Sequence, residues 1–496
     1  MSKVLVVDTG TTNIKAGVVD EKGRILGFHR KKLTLKKDRK GKAEHSLSQL
    51  WESFRDVSRR AGEGFNSSIR LVVITGYQFG FLPVDRRGNP LMGMITLEDT
   101  RSRVIMREIR ETWDWEKIYH RTGCPPIFLY TLPRIFWLKK FYPEIYKETR
   151  WFLGSKDYLL YRILGKPFTE PSLASATQLF NIHTLEWDEE ILDLVSLDQE
   201  KLPAIVSSEE ILGEIPSGVR KEMGLKEKVY LLPGVYDGGA LCIGMGGGKE
   251  KVGICNLGTS AMLRVPHPKP VLDTTGKMKF QTYYLCSNMW LAGGAINNGG
   301  LVLEWWKEIF RRNTTDLLKE AENVPPGSEG VFFLPFLTGE RDPAMGEIVS
   351  GVIFGIRNYH TTGHLVRSSL EGIAYLLLLI KKSLEENGVI LEEVRVGGGG
   401  AKSSLWIEIL ADALNLPVRK SEIEEPALVG EAILGYIALG VYSNIKEAFS
   451  HMIRKEELII PDKKRSEVYK RKSSFFLYLL ERMEEIYREA ERGTVT

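Results

Sequence analysis

The sequence predicts an α/β protein built from two related domains. Three observations point there. Its 496 residues exceed what one hydrophobic core usually serves. Helical and strand patterns alternate through both halves, as in mixed α/β layers. The stretch VVDTGTTNIKAGVV (6–19) is also weakly repeated in ICNLGTSAMLRV (254–265), the self-similarity expected of a duplicated domain. The glycine-rich MGGGKEK (245–251) stands just before the second copy. It is read as the hinge, with one domain at 1–246 and the other at 247–496.

The elements follow in order. KVLVVD is apolar and β-branched, GTTN carries a turn, IKAGVVD alternates, and EKGR turns again into ILGFHR; this is a strand meander. A helix is expected over Ser46–Ala61, a buried strand over Leu71–Gly76 and a helix over Pro133–Lys140. In the second half, KVGICNL and AMLRV are strands joined by a Gly-Thr turn. VFFLPFL (331–337) reads as a strand and His364–Asn387 as an amphipathic helix closed by Gly388. EEVRVGGGG is a strand running into a glycine turn.

Composition excludes several classes. With 43% hydrophobic and 27% charged residues the chain is globular rather than disordered. A formal charge of +4 and no long basic run argue against nucleic acid. The densest basic stretch, KKLTLKKDRKGK (31–42), reads as a solvated loop or hairpin. MSKVLVVDTG is a strand and turn rather than a targeting signal. The apolar run Leu376–Ile380 is too short for a bilayer. Cys124, Cys242, Cys255 and Cys286 form no CxxC pair, which fits reduced thiols in a cytoplasmic protein. No Cys/His cluster suggests zinc.

Three motifs could carry chemistry. In DTGTTN (8–13) a tight turn can aim backbone N–H groups and the Thr11 and Thr12 hydroxyls at phosphate oxygens. Asp8 could hold hydrated Mg²⁺. An ordinary hairpin turn is the plainer reading. LGTS repeats the chemistry at Gly258 and Thr259, so two turns, one per domain, could grip one polyphosphate. In VGGGGAKSSLW (396–406), Gly398, Gly399 and Gly400 let a ligand approach the backbone, with Ala401 and Ser404 beside them. Ala401 stands where a P-loop needs glycine. In LPGVYDGGALCIGMG (232–246) one carboxylate, Asp237, sits among glycines and apolar residues. It reads equally as a helix N-cap or as a catalytic base, with Gly238 and Gly239 leaving room for substrate.

Longer segments bring a resemblance. GVIFGIRNYHTTGHLVRSSLE (351–371) fits the C-terminal signature of the FGGY carbohydrate kinases. TLPRIFWL (131–138) is similar to their N-terminal signature, with Arg134 where lysine is usual. FFLPFLTGERDP (332–343) and GGGAKSSLWIEILADALNLPV (398–418) also resemble family segments. The resemblance covers nearly the whole chain. It implies two actin-like, ribonuclease-H-like ATPase domains flanking a nucleotide cleft, with ATP and Mg²⁺. It implies that the Gly398 turn holds adenosine, that the two Gly-Thr turns hold phosphates, and that Asp237 is the general base.

The resemblance places acceptor contacts in TGYQFG (75–80) and TLEDTR (96–101) and makes Gln78, Asp99 and Arg101 the acceptor candidates; a surface ion pair is the plainer reading of the last two. Tyr77-Gln78-Phe79 replaces the Gln-Met-His frequent in pentulose kinases, Leu97 replaces a tryptophan, Leu173 replaces an aspartate, and GGAINNGG (293–300) is similar to gluconate kinases. The expected activity is transfer of the ATP γ-phosphate to a hydroxyl of a small carbohydrate. A ketopentose such as xylulose comes first, gluconate or glycerol second. A non-catalytic actin-like nucleotide-binding or sugar-sensing protein is the alternative of another class. Neither nucleic acid nor membrane is expected as a partner, and a homodimer is left open.

Overall fold

The computed structural model describes residues 2–340, 349–453 and 456–491. Arg341, Asp342 and Pro343 of the FFLPFLTGERDP segment lie outside the described residues.

The first half builds a six-stranded sheet from β1 (Lys3–Thr9), β2 (Asn13–Val19), β3 (Ile25–Lys32), β4 (Ile69–Gly76), β5 (Gly213–Glu214) and β6 (Tyr230–Leu232). Their order is β5-β6-β4-β1-β2-β3. The second half builds a seven-stranded sheet from β7 (Val252–Leu257), β8 (Ala261–His267), β9 (Gln281–Cys286), β10 (Met289–Ile296), β11 (Glu393–Gly397), β12 (Val418–Lys420) and β13 (Glu457–Ile459). Their order is β9-β10-β8-β7-β11-β12-β13. In each sheet three antiparallel strands are followed by two parallel ones and an antiparallel edge. The weak sequence repeat is therefore a duplication of topology, with β9 added outside it. The expected strands and helices stand close to their anticipated bounds. Both central strands, β1 and β7, are almost wholly buried, as parallel pairing between covered faces requires.

Five helices matter for the site or the core beneath it. They are α1 (Leu47–Gly62), α2 (Thr131–Phe141), α3 (Asp237–Gly244), α4 (Thr362–Glu386) and α5 (Ser404–Leu414), to which α6 (Pro426–Ala438) adds a sixth. Two expectations are corrected. The strand over 331–337 shrinks to Phe332–Leu334, because Pro335 brings no N–H to a ladder. The amphipathic helix is instead a core helix. It is long and apolar enough to cross a membrane, but 83% of its most apolar window is buried inside the protein. The basic stretch 31–42 ends β3 and forms a hairpin of Leu35–Lys37 with Ala43–His45, which also pairs with Met94–Ile95.

The halves meet along α3 and α6, which occupy equivalent places after β6 and β12. A Cβ on Gly244 would lie 1.9 Å from Pro426 O, and one on Gly430 would lie 1.9 Å from Ala240 O. Only glycine permits this helix approach. α6 then packs on the first sheet, with Gly435 against Val4 and Val73 and the Tyr436 hydroxyl donating to Val19 O at 2.9 Å. At the expected hinge, added Cβ atoms on Gly246 and Gly247 would meet Arg395 Nη1 at 2.1 Å and Cys242 O at 2.5 Å. Close packing thus accounts for both glycines.

Candidate active site

Asp237 is the first residue of α3, directly after the loop that follows β6. A carboxylate there meets the positive end of the helix dipole. Its Oδ1 accepts from the Gly238 N–H at 2.8 Å. Tyr236, not Asp237, is the N-cap residue. Burial pushes the Asp237 pKa up to about 6; the Gly238 backbone N–H, the Arg264 guanidinium, the Gln78 backbone N–H and Lys156 pull the other way. Such a carboxyl is poised to exchange a proton near neutral pH. Contrary to the expectation from the sequence, the two glycines after it do not leave room for substrate. Added Cβ atoms would lie 2.8 Å from the Tyr236 ring and 2.8 Å from Leu285, so protein already fills that space.

Asp8 closes β1 beside Lys15 of β2 and Thr75 of β4. Asp8 Oδ1 and Thr75 Oγ1 are buried without a hydrogen-bond partner among the described residues, and so is Gln78 Nε2. Buried polar atoms are normally satisfied, so these three are open to a partner from outside the chain, water or ligand. Burial raises Asp8 to about 7, Lys15 lowers it, and Asp237 and Glu425 raise it further. Asp8 and Asp237 therefore feel one another across a shared site. Thr11 and Thr12 form the turn after β1, closed by Gly10 N–H to Asn13 O at 3.0 Å. His45 Nε2 bonds Thr11 O at 2.8 Å.

The second half supplies the matching turn. Gly258 and Thr259 are braced by Gly300 N–H to Gly258 O at 2.7 Å and Gly299 N–H to Thr259 O at 2.9 Å. GGAINNGG thus has a structural use. Gly398 has φ +90°, and its missing Cβ leaves place for Asn256 Oδ1 and Leu257 O, so the glycine turn abuts the Gly258 turn. Gly399 faces open space, whereas a Cβ on Gly400 would lie 2.7 Å from the Trp406 ring. Ala401 is buried. Ser404 opens α5 and lines a cavity of about 450 Å³ with Leu405, Glu408 and Pro325; the other candidate residues do not line it.

The acceptor candidates divide. Asp99 is buried, accepts from the Ala43 N–H at 2.9 Å and pairs with Arg101 at 2.6 Å; Arg101 also reaches Glu44 at 2.6 Å. The pair is interior, not superficial. Gln78 keeps an unpartnered amide nitrogen.

Sequence reasoning missed several charged side chains. Lys156 and Glu170 form a fully buried pair at 2.7 Å, and Lys156 also donates to Gly234 O at 3.1 Å. Glu431 accepts from the Val235 N–H at 2.9 Å beneath the loop that carries Asp237, and burial raises its pKa well above the usual range. Arg264 of β8 is buried, donates to the Tyr236 hydroxyl and lies over the Tyr283 ring at 4.9 Å. It has no carboxylate partner among the described residues. No local spacing announces these contacts. Glu329, His360 and His364 also come together. However, backbone N–H groups of Arg357 and Thr361 donate to Nδ1 of the two imidazoles at 2.8 and 3.1 Å. In the neutral rings Nε2 then carries the proton, a poor arrangement for a metal ligand.

Both halves of the chain match family models. The model of the N-terminal domain of the FGGY family of carbohydrate kinases matches residues 3–244, and that of the C-terminal domain residues 253–439. The chain belongs to this family. Among curated FGGY relatives, the gluconokinase of Bacillus licheniformis is 28% identical over 98% of this chain and 97% of its own length. A xylulose kinase of Staphylococcus epidermidis is 28% identical over 99% and 97%. The ligand-bound xylulose kinase of Lactobacillus acidophilus superposes with a TM-score of 0.94 at 23% identity over 99% of this chain and 100% of that one. The Plasmodium falciparum glycerol kinase with ADP gives 0.87 at 23% over 97% and 98%. The fold is the two-domain actin-like fold of FGGY kinases, and the protein is a carbohydrate kinase that uses ATP.

Proposed function

We propose that this kinase transfers the γ-phosphate of ATP to a hydroxyl of a small polyhydroxylated acceptor, with Asp237 as general base. The observation that carries the reading is Asp237 at the start of α3, next to a set of partnerless polar atoms on Asp8, Thr75 and Gln78. An alcohol is a poor nucleophile; Asp237 takes its proton as the new P–O bond forms. The turns at Thr11–Thr12 and Gly258–Thr259 hold the phosphates from two sides, and the Gly398–Ala401 turn with Ser404 holds the adenosine. Asp8 fits a hydrated Mg²⁺, because its buried oxygen lacks a protein partner. When bound, that ion would neutralise charge on the phosphate oxygens. Closure about Gly246–Gly248, at the boundary of domains 1–246 and 247–496, excludes water. The free, buried cysteines support a cytoplasmic location.

A ketopentose such as xylulose is the first acceptor to test, given the xylulose kinase relatives. A second reading, an aldonate such as gluconate, is favoured by one observation: Arg264, beside Asp237, is a buried cation without a carboxylate partner among the described residues. ADP release across ketopentoses, aldonates and polyols separates the two. Nucleotide binding without turnover in the presence of any of these acceptors would favour a non-catalytic, sensing role instead.

A further inference from the structure

The acceptor-side candidates lie on two segments, 75–80 and 96–101, whose adjoining ends are paired by the Phe81–Ile95 backbone bridge, with N–H···O distances of 3.1 and 3.0 Å; away from that bridge their spacing needs a further hold. One side chain touches the two. Arg134 of α2 is 1% exposed. Its Nη1 donates to Phe79 O, and its Nη2 donates to Thr96 O at 2.7 Å. Phe79 directly follows Gln78. Thr96 O also accepts the Asp99 N–H at 3.3 Å, so the carbonyl that Arg134 grips is the one that shapes the Asp99 turn. Arg134 has no carboxylate partner among the described residues, and its Nε is unbonded; the two carbonyls are its hydrogen-bond partners there.

The first segment needs such a hold. Phe79 has φ +64°, a left-handed conformation that a bulky side chain adopts only when its surroundings enforce it. Ser155 fixes the segment on one side: its Oγ donates to Tyr77 O at 2.8 Å, and a Cβ on Gly80 would lie 2.7 Å from its nitrogen. Arg134 fixes it at Phe79. The second segment meets the same helix twice, since the Arg101 guanidinium lies over the Trp137 ring at 5.2 Å. Arg134 and Trp137 are three residues apart and share a face of α2. Lysine is usual at position 134 in the signature this chain resembles. A lysine offers one ammonium on a flexible stem, whereas a guanidinium offers a planar fork that holds two acceptors at a set spacing.

We propose that Arg134 is a positioning residue whose fork sets the separation of the Gln78 and Asp99–Arg101 segments, and with it the width of the acceptor site. This rests on the acceptor-side reading of those segments given above.

The test uses the full chain with Arg134→Met and Arg134→Lys. Kinetics are measured with D-xylulose, D-gluconate and glycerol as probes, beside hydrogen exchange over 77–81 and 96–101. Arg134→Met is expected to raise the acceptor KM on the order of tenfold or more, as small misplacements at a reacting site do. The KM for ATP should stay within about twofold, and exchange should rise in both segments together. Arg134→Lys should recover part of the acceptor KM. An unchanged acceptor KM with unchanged exchange would overturn the proposal. So would an equal rise in both KM values with exchange spread over the chain, which is a general loss of structure. If the methionine variant does not fold, the lysine variant decides: an acceptor-specific rise in KM supports the fork, and wild-type constants overturn it. If none of the three probes is turned over by the wild type, the acceptor-side reading fails on its own. Exchange in the two segments then still decides whether Arg134 ties them.

Discussion

Equivalent strands in the two halves end differently. β1 ends in Asp8-Thr9 before Gly10, and β7 in Asn256-Leu257 before Gly258. The helices that follow β6 and β12 differ in the same way. α3 begins with Asp237, which has the Gly238 N–H as its hydrogen-bond donor. α6 begins with Pro426 after Glu425, and Glu425 pairs with Lys15 at 2.7 Å. One acid at this helix start is left available; its counterpart is neutralised. The duplication therefore conserved backbone plan and not charge. Under the proposed function the difference has a reason. The first half must take up a proton, while the second must tolerate phosphate close to its backbone, where an uncompensated acid would repel it.

Four measurements test this asymmetry. The largest effect is expected from Asp237→Asn, which should keep the fold and lower kcat by roughly 10² to 10⁴, as loss of a general base does. Glu425→Gln, at the equivalent place, should change kcat by only about twofold, since a partly exposed ion pair contributes little. Comparable losses in the two variants would remove the asymmetry.

The second compares neighbouring glycines. Gly399→Val should weaken binding of a non-hydrolysable ATP analogue by about tenfold or more, because its side chain would enter open space kept for ligand. Gly400→Val should lower the melting temperature as well, because Trp406 and Leu257 already occupy that space. Calorimetric titration and thermal melts separate the two. Native affinity in Gly399→Val would move the nucleotide elsewhere.

The third is pH. Under the proposed function Asp237 takes up a proton only when ionised, and burial pushes its pKa up to about 6. kcat/KM should therefore fall about tenfold per unit as pH drops below that value. An acid limb beginning only near the ordinary carboxylate range would show that burial does not raise the Asp237 pKa in the working enzyme.

The smallest expected signal is closure. Acceptor and nucleotide analogue together should reduce the radius of gyration by about a few per cent, as lid and domain closure does. Small-angle scattering reads it. Identical profiles under conditions of demonstrated binding would favour a preformed cleft, consistent with the close packing around Gly246.

Features that depend on neighbours along the chain could be read from the amino-acid order. The alternation in IKAGVVD, the apolar run of KVLVVD and the Gly-Thr turns specify strands and reversals through local sterics and burial. Hence the duplicated plan, the two turns and the lone Asp237 were legible without coordinates. The remaining features depend on residues far apart in sequence. Arg134 meets Phe79 and Thr96 because α2 packs over both. Arg264 reaches Tyr236 because the second sheet sits against the first half. Asp99–Arg101, which its spacing fits equally well to a surface pair, is interior because the hairpin carrying Ala43 and Glu44 folds over it. Gly238 and Gly239 are glycines for the sake of Tyr236 and Leu285, contacts that no window of sequence contains. Periodicity fixes which face of an element is buried; only the packed fold fixes what it is buried against, and so which polar atoms are left for chemistry.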